Sequence, residues 1–120
     1  MKEKMARVLL AGRDWKFRAL LRAQLIEEGV GVEAYETVSD AIQSLRVPEL
    51  LPGLFVADLS SSSEPAADTK ALAQWIRTLP VWIIASHMMK NLEGRGFEKI
   101  LYRPLDMGQL VKEVKRRMGS

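Results

Sequence analysis

The sequence predicts one α/β domain, a doubly wound five-stranded parallel sheet with helices on both faces. Three observations lead there. Short apolar runs alternate with amphipathic helical patterns along the chain. Three of these runs, residues 8–11, 54–57 and 81–85, are continuously hydrophobic, as strands buried on both faces are. The length, 120 residues, suits a single domain spanning 1-120, and 48% hydrophobic residues suffice for a core without metal or disulfide staples.

Each element has its own signal. Val8, Leu9, Leu10 and Ala11 form the first buried strand, closed by Gly12. Asp14 stands as the N-cap of a helix carrying Phe17, Leu20, Leu21 and Leu25, and Gly29 lies just past its end. Residues 32–36 alternate apolar and polar, the pattern of a half-buried strand. Ser39 or Asp40 caps a short helix with Ala41, Ile42 and Leu45, stopped by Pro48. Residues 54–57 form a second buried strand that ends in Asp58. Asp68 caps a third helix, with Leu72, Trp75, Ile76 and Leu79 at i, i+3, i+4 and i+7. Residues 81–85 form another apolar strand, ending in Ser86 and His87. From Met88 to Phe97 no clear periodicity holds. Residues 99–102 make the last strand, broken by Pro104. Asp106 with Gln109 opens a final helix carrying Leu110, Val111, Val114 and Met118. The expectation is five strands and about five helices, joined by right-handed crossovers.

Composition narrows the chemistry. With no cysteine, a disulfide framework, a thiolate metal site and a Cys nucleophile are excluded. A single histidine, His87, excludes paired-His chemistry and makes a poor metal site. The net charge is +3 (18 Lys and Arg minus 15 Asp and Glu). Its one basic cluster, Lys112, Lys115, Arg116 and Arg117, reads as a solvated helix end favoured by the helix dipole, so nucleic-acid binding is not expected. No apolar run reaches the roughly 18 residues that cross a membrane. The stretch after the charged N-terminus is too short for a signal peptide, so a cytoplasmic address is expected.

In a doubly wound sheet the working site lies outside the carboxyl ends of the strands. The residues there are Gly12, Arg13 and Asp14; Asp58; Ser86 and His87; Arg103 and Pro104. Together with Arg18 and Leu21, the runs Arg7-Val-Leu-Leu-Ala11, Phe55-Val-Ala-Asp58, Trp82-Ile-Ile-Ala-Ser86 and Leu101-Tyr-Arg-Pro104 carry a resemblance. From about Ala6 to Met118 the chain resembles the receiver domain of two-component response regulators. The resemblance implies a flavodoxin-like sheet of order 2-1-3-4-5 and a phosphorelay role. It puts Asp58 in the phosphoacceptor position, served in the family by a histidine kinase. Ser86 and Arg103 fall at positions that contact the phosphoryl group, Arg103 where the family has Lys. Gly12 and Arg13 replace two acidic residues that help hold Mg²⁺. Asp14, the next residue, is a substitute ligand or a helix cap.

The departures have physical consequences. Mg²⁺ demands oxygen ligands in near-octahedral geometry. Gly12 and Arg13 remove two negative charges and add one positive. No metal or other cofactor is therefore expected, and Asp58 is expected to be compensated by Arg13, Arg103 or both. Only 17 positions (103 minus 86) separate Ser86 from Arg103, about a helical turn or more fewer than in the family, with Gly94 and Gly96 among them. Ile100 takes the aromatic switch position of the last strand, unless Tyr102 substitutes. The run from Leu59 to Pro65 lacks the family's Met-Pro and reads as a flexible polar loop, the alternative being that its serines donate hydrogen bonds to an anion.

The expected function is thus an atypical receiver-like signalling module and not an enzyme. It is impaired in Mg²⁺-dependent phosphorylation and acts on a histidine kinase, another signalling protein or a second copy. Two alternatives stand beside it. One is an interaction domain independent of phosphorylation. The other is a flavodoxin-like cofactor binder, opposed by residues 12–16, which lack the Ser, Thr and Gly that cradle a phosphate, and by the absence of any G-x-G-x-x-G or P-loop motif.

Overall fold

The computed structural model describes residues 7–47 and 51–119. Ala6 and the charged N-terminal residues lie outside them, as does Pro48, the predicted stop of the second helix. Five parallel strands, β1 (Arg7–Ala11), β2 (Gly31–Tyr35), β3 (Leu54–Asp58), β4 (Val81–Ala85) and β5 (Lys99–Tyr102), pair in the order β2-β1-β3-β4-β5. This is the expected sheet. β2 begins and ends one residue earlier than its alternation suggests. The three continuously apolar strands are central and fully or nearly fully buried, whereas the edge strands β2 and β5 are half-buried.

Helices α1 (Trp15–Glu27) and α4 (Met107–Arg117) cover one face, and α2 (Val38–Gln43) and α3 (Pro65–Ala73) the other. Alternation along each strand splits the core. Val8, Leu10, Leu54, Val56, Trp82 and Ile84 meet Leu21 and Leu25 of α1 and Leu110 and Val114 of α4. Leu9, Phe55, Ala57, Ile83 and Ala85 meet Val38, Ala41 and Leu72 on the other side. Each such fully buried Leu, Ile or Phe contributes about 1.5–3 kcal/mol.

Two caps are as predicted. Asp14 accepts from the Phe17 N–H at 3.2 Å, and Asp106 from the Gln109 N–H at 3.2 Å. Gly29, at φ +87°, ends α1 in a Schellman turn, with Val30 N–H bonded to Leu25 O and Gly29 N–H to Ile26 O. Two other caps differ. Thr37, not Ser39 or Asp40, caps α2 through the Asp40 N–H, because only its side chain precedes the first turn. α3 starts at Pro65, whose fixed φ suits the first helical position; Asp68 lies inside the helix and accepts from the Ser62 hydroxyl.

Among the described residues the helix count is four, plus one 3₁₀ turn (Ser44–Arg46), rather than about five. Residues 86–98 hold no helix. Asn91, Gly94 and Gly96 all have positive φ there, and a run of α-helix cannot pass through them. Leu92 is instead buried under the sheet, beside half-buried Met89 and Phe97. Past Ala73 the chain continues in turns, with Trp75 N–H on Leu72 O and Thr78 N–H on Trp75 O, so Trp75, Ile76 and Leu79 still face the core. Ile76 packs against Gly96, where an added Cβ would lie 2.3 Å from the Ile76 Cδ1.

The C-terminal basic cluster is more than a solvated helix end. Lys115 pairs with Glu28 at 2.8 Å. Arg117 pairs with Glu98 at 2.5 Å, and Lys99 with Glu113 at 2.8 Å. Glu98 also accepts from the Trp82 indole N–H at 3.0 Å. The Lys115 pair fastens α4 to the end of α1, and the other two fasten it to the start of β5. The hydrogen bond from Arg117 holds Glu98 below the usual carboxylate range, and that from Lys99 does the same for Glu113.

Two outcomes are expected. Gly96→Ala should destabilise the fold in urea by more than Gly94→Ala. Both incur roughly 1–2 kcal/mol for a side chain at positive φ, but only Gly96 meets a neighbour, since nothing lies within 4 Å at Gly94. The stability that Glu98 adds is present above its ordinary value of 4.5 and disappears as pH falls through its lower folded value. Wild type should therefore exceed Glu98→Gln at pH 7, by less than about 1 kcal/mol for so exposed a pair, and match it well below pH 4 in equilibrium unfolding.

Candidate functional site

The site is assembled by the carboxyl ends of β1, β3 and β5 and the start of α1. β3 carries Asp58 opposite Ile84, and the ladder continues through Leu59 N–H on Ile84 O at 2.8 Å. One residue past β5, Arg103 N–H bonds Ala85 O at 2.8 Å, and the Arg103–Pro104 peptide is cis. One residue past β1, Gly12 N–H bonds Tyr35 O at 3.1 Å, and the Arg18 guanidinium donates to Gly12 O. Strand ends and helix start are therefore fixed by the backbone, and their side chains converge.

Asp58 is the deepest charge, its side chain 1% exposed. Both oxygens are occupied. Oδ2 accepts from Arg103 Nη2 at 2.8 Å. Oδ1 accepts from the Ser60 N–H at 3.0 Å and the Ser60 hydroxyl at 2.6 Å. The same Arg103 nitrogen lies 3.4 Å from Asp14 Oδ2. The guanidinium carbon stands 4.2 Å from the centre of the Phe17 ring, a cation–π stack. The guanidinium thus binds β3, β5 and α1 at one point.

Of the two cations expected near Asp58, only Arg103 makes the pair. Arg13 is exposed and lines the mouth of a cleft beside the site. Two residues beyond β1, its side chain is free of the ladder and turns toward water. Asp14 is the helix cap and the second anion facing Arg103. Ser86, half-buried just past β4, accepts from Met89 N–H through its backbone and is not among the described contacts of Asp58. His87 is exposed and stacks on Tyr102 at 5.3 Å, while the Tyr102 hydroxyl donates to Glu93 at 2.8 Å. That hydrogen bond raises the phenol's pKa, since ionising it would place a second negative charge against the carboxylate. Ile100 and Tyr102 both pack on the α2–α3 face of the sheet.

The loop after Asp58 is expected to be flexible, yet Ser60, Ser61 and Ser62 are engaged. Ser60 holds Asp58, Ser61 accepts from the Asp14 N–H at 3.2 Å, and Ser62 bonds both Asp68 and the Glu64 N–H. Phe17 is the side chain at the site that the sequence did not single out, and Ser60 figured there only among the loop serines able to donate to an anion. Ser60 had a signal: an aspartate two residues before a free N–H is the pattern of an Asx turn. Phe17 had none, because its spacing is that of an ordinary core residue.

The cleft beside Asp58 measures about 390 Å³. Glu36, Asp40, Asp58, Glu64 and Asp68 line it, with Arg13 as the cation. The residues present do not fit Mg²⁺. Asp58 is already saturated by Arg103 and Ser60, Asp14 faces the same guanidinium, and Gly12 offers no oxygen side chain. Among the described residues no group of three or more acidic or histidine side chains could hold a metal. A Cβ at Gly12 would come 3.0 Å from the Asp58 Cβ, so a carboxylate there would press on Asp58 itself.

No family model and no curated protein sequence matches the chain. Solved structures do. A signal receiver domain from Vibrio parahaemolyticus superposes with a TM-score of 0.75 at 23% identity, covering 95% of this chain and 90% of that one. The Francisella response regulator 1452 receiver domain gives 0.77 at 19%, covering 94% and 96%. A CheY-like receiver domain protein from Methanospirillum hungatei gives 0.76 at 15%, covering 96% and 94%. The chain has the fold of response-regulator receiver domains. No helix among the described residues is long and apolar enough to cross a membrane.

Removing Arg103 leaves a buried carboxylate without its cation. Arg103→Ala should destabilise the domain by about 3 kcal/mol in urea unfolding. Asp58→Asn should cost less, because the amide oxygen still accepts. In the double variant the two losses should sum to less than their separate values, the mark of a direct pair.

Proposed function

We propose that the chain is a receiver-type signalling module whose phosphoacceptor position, Asp58, is held by Arg103 instead of a metal ion. It works through protein contacts, with a histidine kinase or another signalling protein as partner, and performs no catalysis of its own. The observation that carries this reading is the Arg103–Asp58 contact at 2.8 Å, in a fold where the neighbouring acidic positions are Gly12 and Arg13. Phosphoryl transfer to Asp58 requires its oxygen to be a free nucleophile and the incoming charge to be neutralised. Here one oxygen is engaged by Arg103 and the other by Ser60, and four further carboxylates, against the single cation Arg13, line the approach. A phosphoryl donor meets net repulsion there.

Asp58 and Arg103 act in this reading as a fixed brace, and Gly12, Arg13, Asp14 and Ser86 are positions inherited with the fold. The interaction domain independent of phosphorylation is the limiting form of the same reading. A flavin-type cofactor finds no support, since the segment from Gly12 to Lys16 lacks the Ser, Thr and Gly richness of a phosphate cradle and only its Gly12 and Arg13 line the acidic cleft.

Incubation with acetyl phosphate and Mg²⁺, followed by intact mass measurement, should give no phosphorylated protein. Stoichiometric, Mg²⁺-dependent phosphorylation lost in Asp58→Asn overturns the reading.

A further inference from the structure

Among the described residues, three of the five large hydrophobic side chains that stand exposed, Trp15, Leu20 and Ile26, lie on α1. The inward face of this helix is already buried through Leu21 and Leu25. Its outward face presents Trp15, Ala19, Ala23 and Ile26 at i, i+4, i+8 and i+11, all exposed. This is one continuous stripe along the whole helix, opposite the core-facing side. A surface helix ordinarily turns charge outward. Here the charges flank the stripe, with Lys16 and Glu27 on one side and Arg22 on the other, all exposed.

We propose that this stripe is a self-association surface, on which α1 packs antiparallel against α1 of a second copy of the chain. The order of residues fits that occupant. A two-fold axis level with Leu21 sets Trp15 beside Ile26 of the second copy and crosses the helices at Ala19 and Ala23. Small residues at the crossing let two helices approach to the short end of the usual 8–10 Å. In an antiparallel pair each flank meets its own equivalent. Lys16, near the N-terminal end, then faces Glu27 of the second copy, and the reverse contact forms by symmetry. Arg22 lies close to the axis and faces its own counterpart, a like-charge contact that weakens the pair. Thirteen residues of helix are only about 20 Å long, so the interface is small and the dimer weak, with a dissociation constant on the order of 100 µM. The proposal does not depend on the state of Asp58.

Sedimentation equilibrium of the chain from about 10 µM to about 1 mM brackets that constant. A reversible dimer is expected. Ile26→Glu should abolish it, and Trp15→Ala should weaken it at least tenfold, with circular dichroism unchanged because both side chains are exposed. Lys16→Glu and Glu27→Lys should each weaken it several-fold, and the two together should restore it. Arg22→Ala should tighten it. A monomer throughout the range overturns the proposal. So does a dimer that survives both Ile26→Glu and Trp15→Ala, or a charge-reversed double variant no tighter than its parents.

Discussion

A carboxylate buried at the edge of a parallel sheet cannot stand alone, because removing an isolated charge from water is far costlier than any single packing gain. Asp58 meets this constraint through one guanidinium and one serine. The neighbouring geometry follows. Arg103 must leave β5 at the height of the β3 end, which its backbone bond to Ala85 secures. Phe17 must present its ring to the guanidinium, which requires α1 to begin at Trp15, and the Asp14 cap sets that start. The serine loop must fold back over the site, which Ser61 and Ser62 accomplish through Asp14 and Asp68. A single charge thus organises three segments far apart in sequence.

Much of this was legible in the residues, and the exceptions share a cause. The buried strands were readable because a strand covered on both faces needs no polar residue. α1 and α4 were readable because Asp14, Gly29 and Asp106 act locally on their own turns. The errors arose where a residue's partner is distant or its backbone unusual. Asp68 looked like a cap, but Pro65 had already started the helix and Ser62 took the carboxylate. Arg13 and Arg103 were equivalent as charges in a string of letters. Only the geometry of two strand ends separated them: Arg103 directly follows β5 and keeps a ladder bond to Ala85 O, whereas Arg13 lies two residues past β1. The strand-end argument named Asp58 and Arg103, which the fold brings into contact, yet which loop serine meets Asp58 and the part taken by Phe17 became visible only when loop and helix closed around them.

The segment from Ser86 to Glu98 has a broader meaning. Receiver-type folds are defined by helices on both faces, yet here one crossover is a loop whose chief hold on the core is Leu92. The positive φ at Asn91, Gly94 and Gly96 makes this an intrinsic property of the sequence. The outer surface beside β5 is therefore shaped by His87 stacked on Tyr102 and by Glu93 held at its hydroxyl. A signal that moved a helix in this region would have no helix to move. That agrees with the proposed reading, in which Asp58 is already held by its own cation.

The tether on that cation has a thermodynamic corollary. An ion taken from solution neutralises a site only to the extent that its concentration exceeds its dissociation constant, so occupancy follows the surrounding medium. A guanidinium joined to the neighbouring strand has no such dependence. Its local concentration is set by the chain, and Phe17 keeps it from drifting into water. Chelators and swings in divalent salt therefore leave the charge balance at Asp58 where folding put it, and the domain holds one electrostatic state across media that would empty or refill a metal-dependent relative.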